Sequence, residues 1–417
     1  MLVRRRRVSA RLKLKRISEL LQGMKMNMTP ETISLRNPAT DGVGLARARP
    51  LNGAQAAWPK DTIVVSADNH WSLSEDPWKG RTPAHLRDRM PGVWYDEERS
   101  LYQMGVGGKP SFLSSGLIES IRSIEDRKGS MHMQERLADL DADGIAMEIV
   151  FPQTLLMYFQ HPDLEVREWI FRGYNEYMAE VGARAPGRFF GVGYPNFWDI
   201  SKAEESIWHI KDLGLKTFQI PITPGLNAEG STIFYAGKEM EPFWSAAEEA
   251  GLPVCFHIGE SLNVEIPGGA PCTFFTNLAP FRKNFGELVF GGILDRHPKL
   301  RIVFAEAGAG INWIPGILQD AEMIYDSFYP ILNPKLKMRP TDYWRQHCYA
   351  TFMSDSLGLK MLDYVGADRL LWSADYPHNE GTLGYTSAVI NEIVGAVSES
   401  DAKKMLGGTA ISLFDLP

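Results

Sequence analysis

The chain has 417 residues, of which 44% are hydrophobic and 23% charged, and its formal net charge is -7. These values are typical of a globular protein, and no apolar run approaches the length of a membrane span. Residues 1–16 carry eight Lys and Arg and no acid, so the rest of the chain has 36 basic against 51 acidic residues, a balance of -15. An acidic body argues against nucleic acid as the main partner.

The first 60 residues are expected to form an N-terminal extension, disordered or extended, rather than a domain. They mix charge, Pro, Asn and Gly without sustained periodicity, and the basic stretch begins at Arg4. That stretch lacks the uninterrupted apolar core and the cleavage site of a secretory signal. A targeting or membrane-surface segment is the alternative.

Cysteine usage indicates a reducing compartment. The chain contains Cys255, Cys272 and Cys348 and has no Cys-x-x-Cys pair. This pattern argues against a disulfide framework and against a zinc site made of thiolates. We therefore expect a cytoplasmic protein.

The first predicted strand lies within residues 62–70 and ends in a candidate metal motif. The apolar run at 63–65 is rich in β-branched side chains and is typical of a buried parallel strand. Residues two apart in a strand point to the same side, so Asp68 and His70 converge whereas Asn69 points away. A carboxylate and an imidazole suit a divalent metal. The alternative is a histidine held by a neighbouring carboxylate.

A long lid insertion is predicted after this strand, from about residue 72 to 130. Connections of this length in a compact fold usually have a function. Trp71, Trp94 and Phe112 lie in or beside the lid. They favour an aromatic or apolar small-molecule substrate, although packing of the lid explains them equally well.

The rest of the chain alternates between helical and strand patterns. Further strands are predicted at 145–151, 189–194, 216–222, 253–257, 300–306, 349–353 and 369–375. Helices are predicted at 133–141, 164–183, 202–213, 243–250, 278–296, 313–328 and 359–365. Eight strands with helices between them predict an α/β protein with a (β/α)8 TIM-type barrel over residues 61–417. The alternative, a doubly wound open sheet, would show a Gly-rich first turn, which residues 66–72 lack.

Four predicted strands end in residues that bind metals. Besides the first strand, these ends carry His257, Glu306 and Asp375, and His378 follows three residues after Asp375. Carboxylates are rarely buried unless they are paired or coordinated, and these follow apolar runs. Helix capping explains single acids in such positions but explains the set poorly. The carboxyl ends of barrel strands share one rim, so we expect a metal site there.

With these strand ends the sequence resembles the amidohydrolase superfamily and, within it, the group that includes aminocarboxymuconate semialdehyde decarboxylase. The resemblance covers about residues 61–415. Its motifs are the Ser-Ala-Asp-Asn-His at 66–70, the Arg-Leu-Ala-Asp-Leu-Asp-Ala-Asp-Gly at 136–144, the Phe-His-Ile-Gly at 256–259, the Ala-Glu-Ala-Gly-Ala-Gly-Ile-Asn-Trp-Ile-Pro at 305–315, and the Trp-Ser-Ala-Asp-Tyr-Pro-His at 372–378.

Two departures from the family pattern affect the expected metal. The usual opening is His-x-His, but the first ligand here is Asp68, and the sixth strand gives Glu306 in place of His. A carboxylate at that position can bridge two metals. We therefore expect one or two divalent ions, zinc, iron or manganese, held by Asp68, His70, His257, Glu306 and Asp375. Relatives also carry an acid shortly after the opening pair, for which Glu75 is a candidate.

We expect a metal-dependent hydrolase acting on an amide, ester, lactone or thioester carbonyl by metal-activated water. Asp375, as in relatives, would take the proton of the water, and His378 would bind substrate or protonate the leaving group. Hydrolysis is favoured because Asp68 and Glu306 add negative charge, which disfavours a substrate carboxylate. The alternatives are a metal-dependent non-oxidative decarboxylase of an aromatic or unsaturated acid and a metal-binding barrel without catalysis. A homo-oligomer is compatible with the sequence.

Overall fold

The computed structural model describes residues 58–111, 118–260, 267–277 and 281–417. The strands of these ranges are β1 (Val65–Trp71), β2 (Gly92–Asp96), β3 (Leu101–Val106), β4 (Lys109–Pro110), β5 (Met147–Pro152), β6 (Phe189–Gly191), β7 (Phe218–Ile220), β8 (Val254–His257), β9 (Ile302–Ala305), β10 (Cys348–Phe352) and β11 (Leu370–Trp372). Eight of them are parallel and lie in the orders β1-β5-β6 and β7-β8-β9-β10-β11.

Two seams close these parallel strands into a barrel. Between β6 and β7, the Gly193 N–H donates to Thr217 O at 3.0 Å, and the Gln219 N–H donates to Gly193 O at 2.8 Å. Between β11 and β1, the hydroxyls of Ser66 and Ser373 lie 3.0 Å apart. The predicted (β/α)8 barrel is therefore confirmed.

The helices pack around the barrel and close one end of it. They are α1 (Ile118–Glu125), α2 (Met133–Ala142), α3 (Leu164–Gly182), α4 (Ile200–Asp212), α5 (Glu241–Ala250), α6 (Gly269–Asn277), α7 (Phe281–Phe290), α8 (Ile293–Arg296), α9 (Trp313–Phe328), α10 (Pro340–His347), α11 (Ser356–Leu359), α12 (Leu362–Val365), α13 (Thr386–Ala396), α14 (Glu399–Lys403) and α15 (Thr409–Phe414). No helix among the described residues is long and apolar enough to cross a lipid bilayer.

The barrel interior is a packed core of its own, separate from the larger core between strands and helices. Its side chains come from alternate strand positions, as expected for a TIM-type barrel. Five different strands each contribute one of the buried side chains Val65, Ile149, Cys255, Val303 and Leu371. Leu413 and Phe414 of α15 join the same cluster. The helix α15 therefore acts as a plug of the barrel.

The lid insertion predicted after β1 has regular secondary structure of its own. The strands β2, β3 and β4 form a small antiparallel sheet, and α1 follows it. The Tyr102 N–H donates to Glu125 Oε2 at 2.9 Å and joins β3 to α1. Most of the predicted N-terminal extension, residues 1–57, and Phe112 of the lid lie outside the described residues. The boundary between extension and barrel stays a prediction.

The half-buried carboxyl of Glu125 makes the stability of the folded chain depend on pH. Burial raises the pKa of Glu125 from 4.5 to about 7. The folded chain therefore keeps a proton that the unfolded chain releases above pH 4.5, and the contribution of Glu125 to stability falls as the pH rises from 4.5 to about 7. We predict that Glu125→Gln raises the free energy of unfolding, relative to the unchanged chain, more at pH 8 than at pH 5.

Urea unfolding at several pH values measures this difference, and Glu119→Gln, an exposed position on the same helix, is the control. The control should show no trend with pH. Parallel pH profiles for the Glu125→Gln variant and the unchanged chain would contradict the role of Glu125.

Candidate metal centre

Three barrel strands bring four buried ligand-type side chains to one point. Asp68 and His70 lie at the end of β1, His257 is the last residue of β8, and Asp375 follows β11. Each is at most 4% exposed. His257 Nε2 lies 3.1 Å from Asp68 Oδ1, and His70 Nε2 lies 3.3 Å from Asp375 Oδ1. The convergence expected from the strand ends is therefore present in the fold.

His70 belongs to two overlapping groups of ligand atoms. One group contains Asp68, His70 and His257, the other His70, Asp375 and His378, and the ligand atoms within each group lie within 4.8 Å of one another. His378 Nδ1 lies 2.8 Å from Asp375 Oδ1, and its ring stacks on that of His70 with the centroids 3.9 Å apart. His70 thus lies at the middle of the arrangement.

A buried ion pair fixes the strand that carries Asp68 and His70. Arg136 Nε donates to Glu148 Oε1 at 2.6 Å, and Arg136 Nη1 donates to the carbonyl of His70 at 2.9 Å. Asn69 Nδ2 donates to Glu148 Oε2 at 2.7 Å, on the opposite side of β1 from its two neighbours. Because the bond to Glu148 holds the Asn69 side chain on the outer side of β1, Asp68 and His70 point to the centre of the rim.

The seam between β1 and β11 places Asp375. Asn69 Oδ1 accepts from the Ser66 hydroxyl at 2.7 Å and from the Tyr376 N–H at 2.9 Å. The His70 N–H donates to Tyr376 O at 2.6 Å. Asp375 itself has a φ of +54°, in the left-handed region that non-glycine residues rarely adopt. This turn directs its carboxylate towards His70.

The charges of the site are strongly coupled. Burial lowers the pKa of His70 to about 4, and the neighbouring His378 adds to this shift. Burial opposes the protonation of His257 and His378, but the carboxylates of Asp68 and Asp375 outweigh it and raise these pKa values to about 9 and 10. His378 and His70 lower the pKa of Asp375, although burial opposes this shift. The carboxylates therefore stabilise positive charge at the centre of the site.

This donor set fits a divalent cation. Asp375 Oδ2 is buried and has no hydrogen-bond partner among the described residues. His257 Nδ1 lies 2.7 Å from the carbonyl of Ile258, which fits an N–H donated there and leaves Nε2 free towards Asp68. Metal-binding histidines commonly donate their second N–H in this way. Mixed imidazole and carboxylate ligands suit zinc, iron and manganese.

Glu306 lies close to this site but in neither group of ligand atoms. Its backbone N–H donates to Thr351 Oγ1 at 2.8 Å, and its Oε1 accepts from the Gly308 N–H at 3.2 Å. Burial raises the pKa of Glu306 to about 8, while His257 opposes the shift. A bridging role between two metals stays a prediction.

Two residues that the sequence did not single out contact the site. The hydroxyl of Thr351 donates to Asp68 Oδ2 at 3.1 Å, and Gln153 Nε2 lies 3.0 Å from His378 Nε2. Both lie at or just after a barrel strand, and this position is the signal that could have identified them. Glu75 lies elsewhere, in an exposed ion pair with Arg184 at 2.7 Å.

Comparison with known proteins gives a family match and decarboxylase relatives. The chain matches the amidohydrolase family model over residues 84–416. It is 23% identical over 292 residues to 2-amino-3-carboxymuconate-6-semialdehyde decarboxylase of Dictyostelium discoideum. This alignment covers 67% of this chain and 76% of that protein. It is 27% identical over 279 residues to gamma-resorcylate decarboxylase of Rhodococcus jostii. This second alignment covers 61% of this chain and 79% of that protein.

A solved structure shares the fold. The dihydroxybenzoic acid decarboxylase of Polaromonas, with bound manganese and the inhibitor 2-nitroresorcinol, superposes with a TM-score of 0.59 at 19% identity. The superposition covers 85% of this chain and 97% of that one.

These relatives contradict the expected hydrolysis, since they are decarboxylases. The charge argument from Asp68 and Glu306 was wrong. A bound divalent ion is the largest local charge in such a site, so it attracts a substrate carboxylate even though carboxylates are among its ligands. The relatives favour the alternative stated in the sequence analysis, a metal-dependent non-oxidative decarboxylase.

We predict that His257→Ala lowers the metal content of the purified protein and leaves the barrel folded, because it removes one of the four converging side chains. Elemental analysis gives the metal content, and circular dichroism checks the fold. The matched control is His85→Ala, an exposed histidine of the lid, which should keep its metal. Full metal occupancy in the His257→Ala variant would refute the assignment.

We predict that Arg136→Met destabilises the chain by about 3–5 kcal/mol, because it leaves the buried Glu148 carboxylate without its partner. The double variant with Glu148→Gln should recover much of the loss, since no unpaired charge remains. Urea unfolding of both variants and of the unchanged chain measures the effect. Equal destabilisation in the single and double variants would show that packing, rather than charge pairing, dominates.

Proposed function

Because the chain belongs to the amidohydrolase family, as its motifs predicted, we propose that it is a metal-dependent enzyme that decarboxylates an aromatic carboxylic acid. The observation that carries the proposal is the decarboxylase activity in the names of relatives that align with about two thirds of the chain. The buried cluster of carboxylates and imidazoles supplies the chemistry that such a reaction needs.

We propose that Asp68, His70, His257 and Asp375 hold the divalent ion. When bound, the ion supplies positive charge that attracts the substrate carboxylate and an adjacent hydroxyl. Manganese is the first ion to test, because the Polaromonas decarboxylase contains it, and zinc and iron are the other candidates. A second ion at Glu306 belongs to the same proposal and requires a stoichiometry of two.

Decarboxylation needs a proton donor at the ring carbon. The bond between ring and carboxylate breaks, its electron pair stays on the ring carbon, carbon dioxide leaves, and a proton takes the vacated position. We assign the proton to His378 Nε2, because Nδ1 of the same ring is bound to Asp375 at 2.8 Å and the side chain is 20% exposed. The Gln153 amide, 3.0 Å away, then presents its oxygen to this N–H. Asp375 orients the imidazole and stabilises its charge.

The proposed enzyme works on a small molecule and not on nucleic acid. An aromatic substrate is proposed because the names of two relatives, gamma-resorcylate decarboxylase and dihydroxybenzoic acid decarboxylase, state that they act on aromatic acids. The cysteines, all free, fit a cytoplasmic location. Assembly into a homo-oligomer is part of the proposal that gel filtration can test.

Release of carbon dioxide tests the proposal. The manganese-loaded protein should decarboxylate 2,6-dihydroxybenzoate or a related hydroxybenzoate and leave aryl esters, lactones and acyl thioesters intact. In deuterium oxide the product should carry deuterium at the position that held the carboxylate. Turnover of the esters or lactones without release of carbon dioxide would refute the proposal.

We predict that His378→Ala lowers kcat by a factor of about 10² to 10⁴, the usual contribution of a general acid, with the metal content unchanged. The variant should also fail to exchange the ring hydrogen of the product resorcinol for deuterium. His161→Ala, a partly exposed histidine that faces the carbonyl of Asp163, is the control and should keep full activity. Normal exchange in the His378→Ala variant would exclude His378 as the donor.

A further inference from the structure

A cavity lies between the lid and the barrel rim, beside the candidate metal centre. Its enclosed space is about 60 Å³, and the figure rises to about 700 Å³ only when the solvent at its open mouth is counted. Leu101 and Met104 of β3 and Ile121 and Ile124 of α1 form part of its lid wall, and Met157 lies on the side of the rim. Aliphatic and thioether side chains make dispersion contacts with an apolar ligand and adapt to its shape.

Two polar side chains lie where this cavity meets the rim. Ser72 follows β1, two residues after His70, and Gln153 follows β5 and contacts His378. Ser72 is 5% exposed, and its Oγ has no hydrogen-bond partner among the described residues. Since buried polar atoms normally have partners, this end of the cavity suits the polar part of a ligand.

The cavity wall offers no positive charge to a second anionic group. Glu125 lines the lid side, and its Oε2 already accepts the Tyr102 N–H. A negatively charged substituent would lie near this carboxyl group and find no cationic side chain among the lining residues. The far end of the cavity therefore favours an uncharged, apolar group.

We propose that this cavity binds an alkyl substituent of the substrate, para to its carboxylate, so that alkyl-substituted hydroxybenzoates are the preferred substrates. The inference rests on the proposed function for the carboxylate end of the substrate. Gln153 lines the cavity and also contacts His378, so the cavity adjoins the centre. A ring whose carboxylate lies at the metal centre has its para position on the side away from the metal, where this cavity can receive it. An unsubstituted hydroxybenzoate leaves the aliphatic wall without contacts.

Binding of product-like probes tests the cavity without any turnover. Each methylene buried in an apolar site strengthens binding about fourfold, so the four methylenes of 5-pentylresorcinol should make it bind roughly 250-fold more tightly than resorcinol. Isothermal titration of the metal-loaded protein gives both affinities. The same preference should appear in kcat/KM for 4-pentyl-2,6-dihydroxybenzoate over 2,6-dihydroxybenzoate.

The variant Ile121→Trp fills the cavity and should abolish the preference for the pentyl probe, with the affinity for resorcinol unchanged. Glu119→Trp adds the same side chain at an exposed position of α1 and is the matched control, which should keep the preference. If Ile121→Trp does not fold, Met157→Trp fills the cavity from the opposite wall.

The outcomes separate the two proposals. Tighter binding of the pentyl probe that is lost in Ile121→Trp supports the cavity even if no carbon dioxide is released. Decarboxylation of both acids at equal efficiency, with equal affinity for both probes, overturns the inference and leaves the proposed function standing. Failure of 5-pentylresorcinol to bind the unchanged chain also overturns it.

Discussion

The buried ion pair of Arg136 and Glu148 is the interaction on which the geometry of the rim depends. Both oxygens of the Glu148 carboxylate are bonded, one to Arg136 and the other to Arg136 and Asn69. A buried pair with fewer bonds would not offset the cost of removing both charges from water. The pair occupies the back of β1, so a shift of that strand by one residue would exchange Asn69 with its ligand-bearing neighbours. Charge pairing behind the strand thus specifies which side chains reach the centre of the barrel.

The order of strands and helices could be predicted because hydrophobic periodicity is strong in this chain. The helix expected at 313–328 has the observed bounds Trp313–Phe328. The helix expected at 278–296 is wrong as a single element, because α7 and α8 are separate and Gly292 between them has a φ of +69°. The pattern of side chains continues across this break, so periodicity alone could not locate it. The small sheet of the lid was missed because its strands are partly exposed and do not alternate cleanly.

The candidate site could be predicted only as far as strand ends determine it. Asp68, His70, His257 and Asp375 lie together because parallel strands end at the same rim, which sequence alone indicates. The position of Glu306 depends on the tight turn after β9, where its backbone binds Thr351, and no periodicity encodes that turn. The reaction could not be read from the ligands, since the same carboxylates and imidazoles serve hydrolysis and decarboxylation. Relatives were needed to decide between them.

The plug formed by α15 has a consequence for the synthesis of the chain on the ribosome. The inward-facing side chains of β1 belong to the same cluster as Leu413 and Phe414, which emerge only after every barrel strand has been made. Until β11 is made, β1 lacks this neighbour, and until α15 follows, the interior of the barrel stays open to water. Exposed apolar surface and unpaired strand edges in a nascent chain promote aggregation. The molecule therefore completes its core late, and its early strands need protection by chaperones or by fast folding of the later ones.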